Sequence, residues 1–258
     1  MPAPIAANSP RVALVTGGTG GIGSAIARQL AHLGYDVAIT YRTNADVAAD
    51  LVGDLRLLGV GAASFSTDLV DEGRVRNVVR QTIERFGALT TLVHAAGPHV
   101  PMKHLSRISP ADYAQHVEQE AVAFFTVVQA SLSALRESSG SVVAVTTAAT
   151  ERYPVRDGLS PGTKGAIDQL VRGFAAEEGR FGVRFNAVGP GMLTDGMAQR
   201  LISSADLDQR ALDAAMSNIP LGRFGTAADV AEAVCFLAGD GAAFITGQKL
   251  NVDGGYTV

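Results

Sequence analysis

The feature that most constrains the fold is a glycine-rich segment that separates a short apolar run from a helical pattern. Residues 12–15 read VALV, and residues 16–23 read TGGTGGIG. Apolar residues then recur at helical spacing. This pattern ends at Gly34, and glycine is common at the position just beyond the end of a helix. A strand, a glycine loop and a helix in this order bring backbone N–H groups and the positive helix end to one place, where they can bind a pyrophosphate. The segment therefore predicts a dinucleotide-binding βαβ unit.

The rest of the chain continues the alternation of short β-branched runs with longer helical patterns. Further strands are predicted at residues 37–40, 64–67, 89–94, 141–146, 183–188 and 248–252. One helix is predicted to begin at Ser109-Pro110, because Ser is a common N-cap and Pro fits the first helical position. We therefore predict an α/β fold with a doubly wound, parallel, seven-stranded sheet of the Rossmann type and helices on both faces.

The domain organisation follows from what the 258 residues lack. The first ten residues, MPAPIAANSP, hold three prolines and no positive charge, which predicts a flexible tail at 1–10 and no secretory signal. No repeat and no Gly/Ser-rich or Pro-rich linker divides the remainder. Residues 11–258 are therefore expected to form a single dinucleotide-binding catalytic domain.

Charge and cysteine content exclude several classes of partner. The net charge of -4 comes without a basic block, so we expect no nucleic acid and no membrane surface as partner. The longest apolar runs fall well short of the ~18 residues that suggest a membrane span. The single Cys235 has no second thiol for a disulfide or a zinc site, and we expect it to be buried. The sequence thus predicts a cytoplasmic protein with no metal and with a small-molecule substrate.

The end of the second predicted strand bears on the choice of dinucleotide. An NAD-binding chain is expected to carry an acidic residue there, but this strand ends in Tyr41, Arg42 and Thr43. A guanidinium can hold a 2′-phosphate, which a carboxylate would repel. The sequence therefore predicts NADP(H), the alternative being that Arg42 is only a solvated surface charge.

Several motifs resemble those of the short-chain dehydrogenase/reductase family. The segment TGGTGGIG matches the family's TGxxxGIG loop, Asp68-Leu69 matches its adenine-contacting position, and residues 94–97, HAAG, resemble its NNAG segment. Residues 186–191, NAVGPG, with Thr194 resemble the exit of its sixth strand. The resemblance covers residues 11–257 and is closest to the 3-oxoacyl-carrier-protein reductase-like branch.

The loop positions and the resemblance together give a set of predicted cofactor-binding residues. The set consists of Gly17, Thr19, Gly20, Gly21, Ile22, Gly23, Tyr41, Arg42, Thr43, Asp68, Leu69, Ala95, Ala96, Gly97, Lys164, Pro190, Gly191 and Thr194.

The resemblance also implies a catalytic site, which this chain matches only in part. The family reduces carbonyls with Asn, Ser, Tyr and Lys, the last two spaced YxxxK. Lys164 takes the Lys position and Thr147 the Ser position, whereas Ser160 stands where Tyr is expected. The Asn position corresponds to Glu120, within one residue.

The sequence therefore offers several candidates for the proton donor. The hydroxyl of Ser160 is a much weaker acid than a phenol and sits a ring's length further back. Tyr153 and Asp157 lie in the segment between Thr147 and Lys164, and His99 follows the fourth strand. Each is a candidate donor, as is a water chain from Lys164.

These residues predict an NADPH-dependent oxidoreductase that reduces a carbonyl, enone or imine by an altered proton route. The alternatives are a redox-inactive NADP(H)-binding protein, and a non-redox lyase, dehydratase or isomerase that reuses Glu120, Thr147 and Lys164. Irregularly spaced apolar residues between Met192 and Ile219 indicate an apolar substrate. We also expect a homotetramer or homodimer, with an interface that includes Phe124, Phe125 and Val128.

Overall fold

Parallel strands form one sheet in the computed structural model, which describes residues 10–195 and 216–258. The strands are β1 (Val12–Thr16), β2 (Asp36–Tyr41), β3 (Ala62–Ser66), β4 (Thr91–His94), β5 (Ser141–Val145), β6 (Arg184–Pro190) and β7 (Lys249–Val252). Their order across the sheet is β3-β2-β1-β4-β5-β6-β7. The winding direction changes between β1 and β4, and ligands of such sheets bind in the crevice beyond the carboxyl ends at that point.

Helices cover both faces of this sheet. They are α1 (Gly21–His32), α2 (Ala45–Leu57), α3 (Glu72–Phe86), α4 (Pro110–Val117), α5 (Ala123–Ser138), α6 (Leu159–Glu178) and α7 (Ala227–Ala238). A single π turn, Glu118–Val122, joins α4 to α5. Within the described ranges, no helix has both the length and the apolar character needed to cross a bilayer.

Alternating side chains of each strand supply two cores, one on each face of the sheet. In β1, Val15 points to the face covered by α1, α2 and α7, whereas Leu14 points to the face covered by α3, α5 and α6. Ile26 of α1 lies in the first core, and Phe124 and Ile167 lie in the second. Because both faces are buried, the strands read as continuous apolar runs.

The predicted fold class is confirmed, and the predicted strand bounds differ from the observed ones by at most two residues. Gly34 follows the end of α1 with φ of 81°, in the left-handed region, as the sequence indicated. The Ser109 side chain caps α4 by accepting a hydrogen bond from the Asp112 N–H at 3.1 Å. Cys235 is buried as expected, and burial raises the pKa of its thiol to about 12.

Candidate active site

The glycine loop after β1 is shaped by close backbone approaches that exclude side chains. Gly17 has φ of 68°, and a Cβ there would lie 2.7 Å from the Ala96 Cα at the end of β4. A Cβ on Gly23 would lie 2.2 Å from the Gly17 carbonyl oxygen. Helix α1 has no side-chain cap and no acidic residue in its first turn. Its first N–H groups are therefore available to an anion.

A cavity of about 250 Å³ extends from this loop across the ends of β2, β3 and β4. Many of the predicted cofactor-binding residues line it, namely Gly17, Thr19, Gly20, Tyr41, Arg42, Thr43, Asp68, Leu69, Ala95, Ala96 and Gly97. Arg42 is exposed and has no hydrogen-bond or ion-pair partner among the described residues. Its guanidinium is thus free to bind an anion at the cavity wall.

The end of β4 carries a buried histidine at the first position of the HAAG segment, where the NNAG segment that it resembles has Asn. His94 Nδ1 lies 3.0 Å from the Thr16 hydroxyl of β1, and the ring meets Phe124 edge-on at 5.3 Å between centroids. Burial, together with the positive charge of Lys164, lowers the pKa of His94 to about 3. The imidazole is therefore neutral, and it ties the ends of β1 and β4 together.

The π turn between α4 and α5 directs Glu120 into the protein. Glu120 is fully buried, and its Oε2 accepts a hydrogen bond from Lys164 Nζ at 2.9 Å. Its Oε1 has no partner among the described residues and faces Gly97, where a Cβ would lie only 2.7 Å away. The structure thus pairs Glu120, the residue that the sequence assigned to the Asn position, with Lys164. Such π turns are frequent at functional sites.

Two sequence-predicted residues lie in the first two turns of α6, and a third lies just after β5. Ser160 is buried and precedes Lys164 by one turn on the same helix face. Thr147 follows β5, and its hydroxyl oxygen accepts a hydrogen bond from the Ala149 N–H at 3.1 Å. No described group accepts the hydroxyl hydrogen of Thr147, so it can be donated to a ligand oxygen.

Asp157 lies at the entry to α6, half-buried. Its backbone forms an isolated parallel bridge with Lys103, and its carbonyl accepts the Ser160 N–H at 3.2 Å. Burial raises the pKa of Asp157 to about 7, although the positive charge of Lys164 opposes that shift. A carboxyl group with this pKa is partly protonated at neutral pH.

Tyr153 borders a second cavity, which Lys164 does not line. Its hydroxyl is 2.8 Å from the position a Cβ on Gly158 would take, and the cavity has a volume of about 630 Å³. That cavity follows the face of α6 that carries Pro161, Gly165 and Asp168. The face with Ser160 and Lys164 is about 100° away around the helix. Tyr153 and Lys164 thus lie on different faces.

The second cavity contains a polar cluster that the sequence analysis missed. Lys249 Nζ lies within 3.4 Å of Asp168 Oδ2 and donates to the Thr150 hydroxyl, which in turn donates to the same carboxylate oxygen at 3.1 Å. These residues come from β7, α6 and the turn after β5, and no short motif in the chain links them. Only the tertiary fold brings them together.

The exit of β6 carries the last predicted cofactor-binding positions. The Gly191 N–H donates to the Val252 carbonyl at 2.9 Å, and the Thr194 N–H donates to the Gly225 carbonyl at 2.9 Å. Thr194 is exposed. Most of the segment predicted to cover the substrate, including Met197, Leu201 and Leu212, lies outside the described residues.

Comparison with known proteins decides the family. A family profile described as "Enoyl-(Acyl carrier protein) reductase" matches residues 17–257. The chain is 32% identical over 244 residues to a 3-oxoacyl-[acyl-carrier-protein] reductase, FabG, from Staphylococcus aureus, covering 94% of this chain and 96% of that one. The chain belongs to the short-chain dehydrogenase/reductase family.

Other members of the family differ in their substrates. An L-fucose dehydrogenase from Rattus norvegicus is 31% identical over 252 residues, which are 96% of this chain and 89% of that one. A short-chain dehydrogenase from Burkholderia cenocepacia, crystallised in complex with NADP, is 34% identical with a TM-score of 0.87 and covers 96% of this chain and 98% of that one. The prediction of an oxidoreductase of this family is confirmed.

Proposed function

We propose that this protein is an NADP(H)-dependent reductase of a small, apolar carbonyl, enone or imine substrate. The observation that carries the proposal is the cavity at the switch point, where the glycine loop and the free guanidinium of Arg42 line one wall. The predicted cofactor class is confirmed at the level of relatives, since the Burkholderia cenocepacia protein binds NADP. No acidic residue stands among residues 41–44 to repel a 2′-phosphate.

The residues present suit this cofactor. Gly17 and Gly23 allow a pyrophosphate to approach the backbone, and the uncapped α1 offers its first N–H groups. Arg42 would hold the 2′-phosphate, Asp68 the adenine side, and Lys164 the ribose next to the nicotinamide. The nicotinamide carboxamide would contact Pro190, Gly191 and Thr194. Bound NADPH supplies a hydride to the substrate.

The proposed roles of the catalytic residues follow from their chemistry. Thr147 donates its free hydroxyl hydrogen to the substrate oxygen, which stabilises the negative charge that develops there. Lys164 orients the cofactor, and Glu120 balances its buried charge. Ser160 contributes little acidity but leaves room that a phenol ring would fill. Tyr153, on the other face of α6, stays a candidate contact for the substrate.

The function is tested by the oxidation of NADPH in the presence of a panel of activated ketones, enones and imines. We expect turnover by the wild-type protein and a kcat lower by about 10²-fold in Thr147→Ala, with the affinity for NADPH unchanged. Thr147→Ser keeps the hydroxyl and is the matched control, which should retain most of the activity. NADPH binding without turnover on any substrate would favour a redox-inactive binding protein, and conversion without NADPH oxidation would favour a lyase or isomerase.

We also propose that the protein forms a homodimer or homotetramer. The prediction that Phe124 and Val128 lie in the subunit interface is wrong, because both side chains are fully buried within the subunit core. Phe125 is 42% exposed, Phe236 is 49% exposed and Phe244 is fully exposed. Aromatic residues are enriched at protein–protein interfaces, so these exposed side chains are the proposed subunit contacts.

A further inference from the structure

Asp157 is an ionisable side chain near Lys164 that the proposed reaction has not yet used. It belongs to the segment that leads into α6, and it precedes Ser160 and Lys164 by three and seven residues. The Ser160 N–H binds its carbonyl, and the bridge to Lys103 holds its backbone from the other side. These two contacts hold the backbone of Asp157 in the turn that leads into α6, close to Ser160.

We propose that Asp157 is the proton donor of the reduction, in place of the phenol that the family resemblance implies at position 160. This inference rests on the proposed reductase function and names the residue that completes it. In the step, the carbonyl carbon gains the hydride of NADPH, and the carbonyl oxygen takes the proton of the Asp157 carboxyl. The electron pair of the broken O–H bond stays on the carboxylate, NADP⁺ leaves, and water returns the proton.

Burial, rather than the charge beside it, favours an Asp157 carboxyl that keeps its proton. Lys164, from α6, is the cation that acts on it, and Glu120, from the π turn, pairs with that cation at 2.9 Å. No described residue donates a hydrogen bond to the carboxylate, and its partner across the backbone bridge, Lys103, is exposed. Burial outweighs the opposing charge of Lys164, and the pKa of Asp157 rises to about 7.

Among the residues that the structure describes, the remaining surroundings of Lys164 do not supply a competing acid. His94 and His116 both lie close enough to feel its charge, and burial lowers the pKa of each. Both imidazoles are therefore neutral at pH 7 and are poor proton donors. The adjacent Arg156 points its guanidinium at the Met102 carbonyl, where it donates two hydrogen bonds. Tyr153 lies on the other face of α6.

The first test titrates Asp157 directly in the cofactor-free protein. With carboxyl-¹³C-labelled aspartate, the NMR signal that disappears in Asp157→Asn is assigned to this residue, and we expect its midpoint near pH 7. In Glu120→Gln the charge of Lys164 is no longer balanced, so the midpoint should fall by about one pH unit. A midpoint near 4 in the wild-type protein, or no change in Glu120→Gln, contradicts the proposal.

The second test follows turnover against pH. Wild-type kcat should fall as the pH rises through about 7, because the donor must be protonated. Asp157→Asn should lose 10²-fold to 10⁴-fold in kcat with an unchanged affinity for NADPH measured by fluorescence. Asp157→Glu should restore part of the loss, and so should Ser160→Tyr in the Asp157→Asn background. The exposed Asp240→Asn is the matched control and should behave as the wild type.

The donor role of Asp157 and the reductase function are contradicted by different results. If wild type turns over and Asp157→Asn keeps a kcat within about threefold of it, then Asp157 is not the donor and the reductase function stands. If wild type reduces no substrate of the panel, the reductase function fails and the donor role fails with it. Normal NADPH affinity in Asp157→Asn shows that a loss of turnover does not come from misfolding.

Discussion

At the scale of single residues, the main feature of the site is a set of ionisable side chains whose interactions and pKa values depend on burial. Lys164 and Glu120 lie on different elements, 44 positions apart in the sequence. Inside the protein, the negative charge of Glu120 balances the positive charge of Lys164. The sequence could predict both residues as candidates but not their contact, because the π turn that directs Glu120 inward leaves no periodic signal. The raised pKa of Asp157 could not be predicted from the sequence either, because it is caused by burial, which residue types alone do not show.

The residue that selects the cofactor is predicted to be Arg42. Arg42→Ala should weaken NADPH binding by about 10-fold to 100-fold, the equivalent of a hydrogen bond to a charged group, and should leave NADH binding unchanged. Titration of both cofactors by fluorescence measures the difference. Arg76→Ala removes an exposed arginine on α3 and serves as control. Equal affinities of the wild-type protein for NADPH and NADH would contradict the assignment.

The pKa of Asp157 also predicts how stability depends on pH. The folded protein raises that pKa from 3.8 to about 7, so the protonated form is favoured by folding. Stability from this group is therefore present below pH 4 and is lost as the pH rises through 7. Asp157→Asn should raise the free energy of unfolding at pH 8, by no more than about 4 kcal/mol, and should not raise it at pH 4. Urea denaturation at both pH values measures it, and a gain at pH 4 as large as at pH 8 would be inconsistent with this origin.

At the scale of elements, the apolar runs of the strands and the helix caps made most of the secondary structure predictable from the sequence. The β1 run, the glycine loop and the Ser109 cap could all be predicted, because each depends on local backbone geometry. Strand ends shifted by one or two residues, since the last ladder hydrogen bonds depend on the neighbouring strand. The placement of Tyr153 on the far face of α6 depends on how a loop packs, and no local pattern indicated it.

Two glycines in different elements should respond in opposite ways to alanine. Gly17→Ala adds a Cβ at positive φ and 2.7 Å from the Ala96 Cα, so we expect loss of NADPH binding and a lower melting temperature. Gly53→Ala, inside α2, meets nothing within 4 Å. It should stabilise the protein by about 0.5–1 kcal/mol without affecting binding. Thermal unfolding and NADPH titration test both, and unaltered binding in Gly17→Ala would argue against the loop's role.

At the scale of the whole molecule, one parallel sheet brings four strand ends to a single crevice. The ends of β1, β2, β3 and β4 contribute the lining of the 250 Å³ cavity, which the topology of a doubly wound sheet requires. The alternation of the sequence was enough to predict this arrangement. The identity of the substrate was not predictable, because the region expected to cover it has irregular apolar spacing and no motif.

The exposed aromatic residues predict that the protein is not a monomer in solution. Phe125, Phe236 and Phe244 lie on α5, on α7 and just before β7, and a partner subunit would remove them from water. Multi-angle light scattering at micromolar concentration should give the mass of a dimer or a tetramer. Phe244→Ser should shift the distribution toward smaller species. A monomeric mass for the wild-type protein would remove this prediction.

The central claim, that the protein reduces its substrate with a hydride from NADPH, is tested most directly by isotope transfer. The measurement uses NADPH deuterated at the nicotinamide C4 and a substrate from the carbonyl panel, with mass spectrometry of the product. We expect one deuterium per product molecule, bound to the carbon that accepts the hydride. A converted substrate without deuterium and without cofactor oxidation would contradict the reductase function.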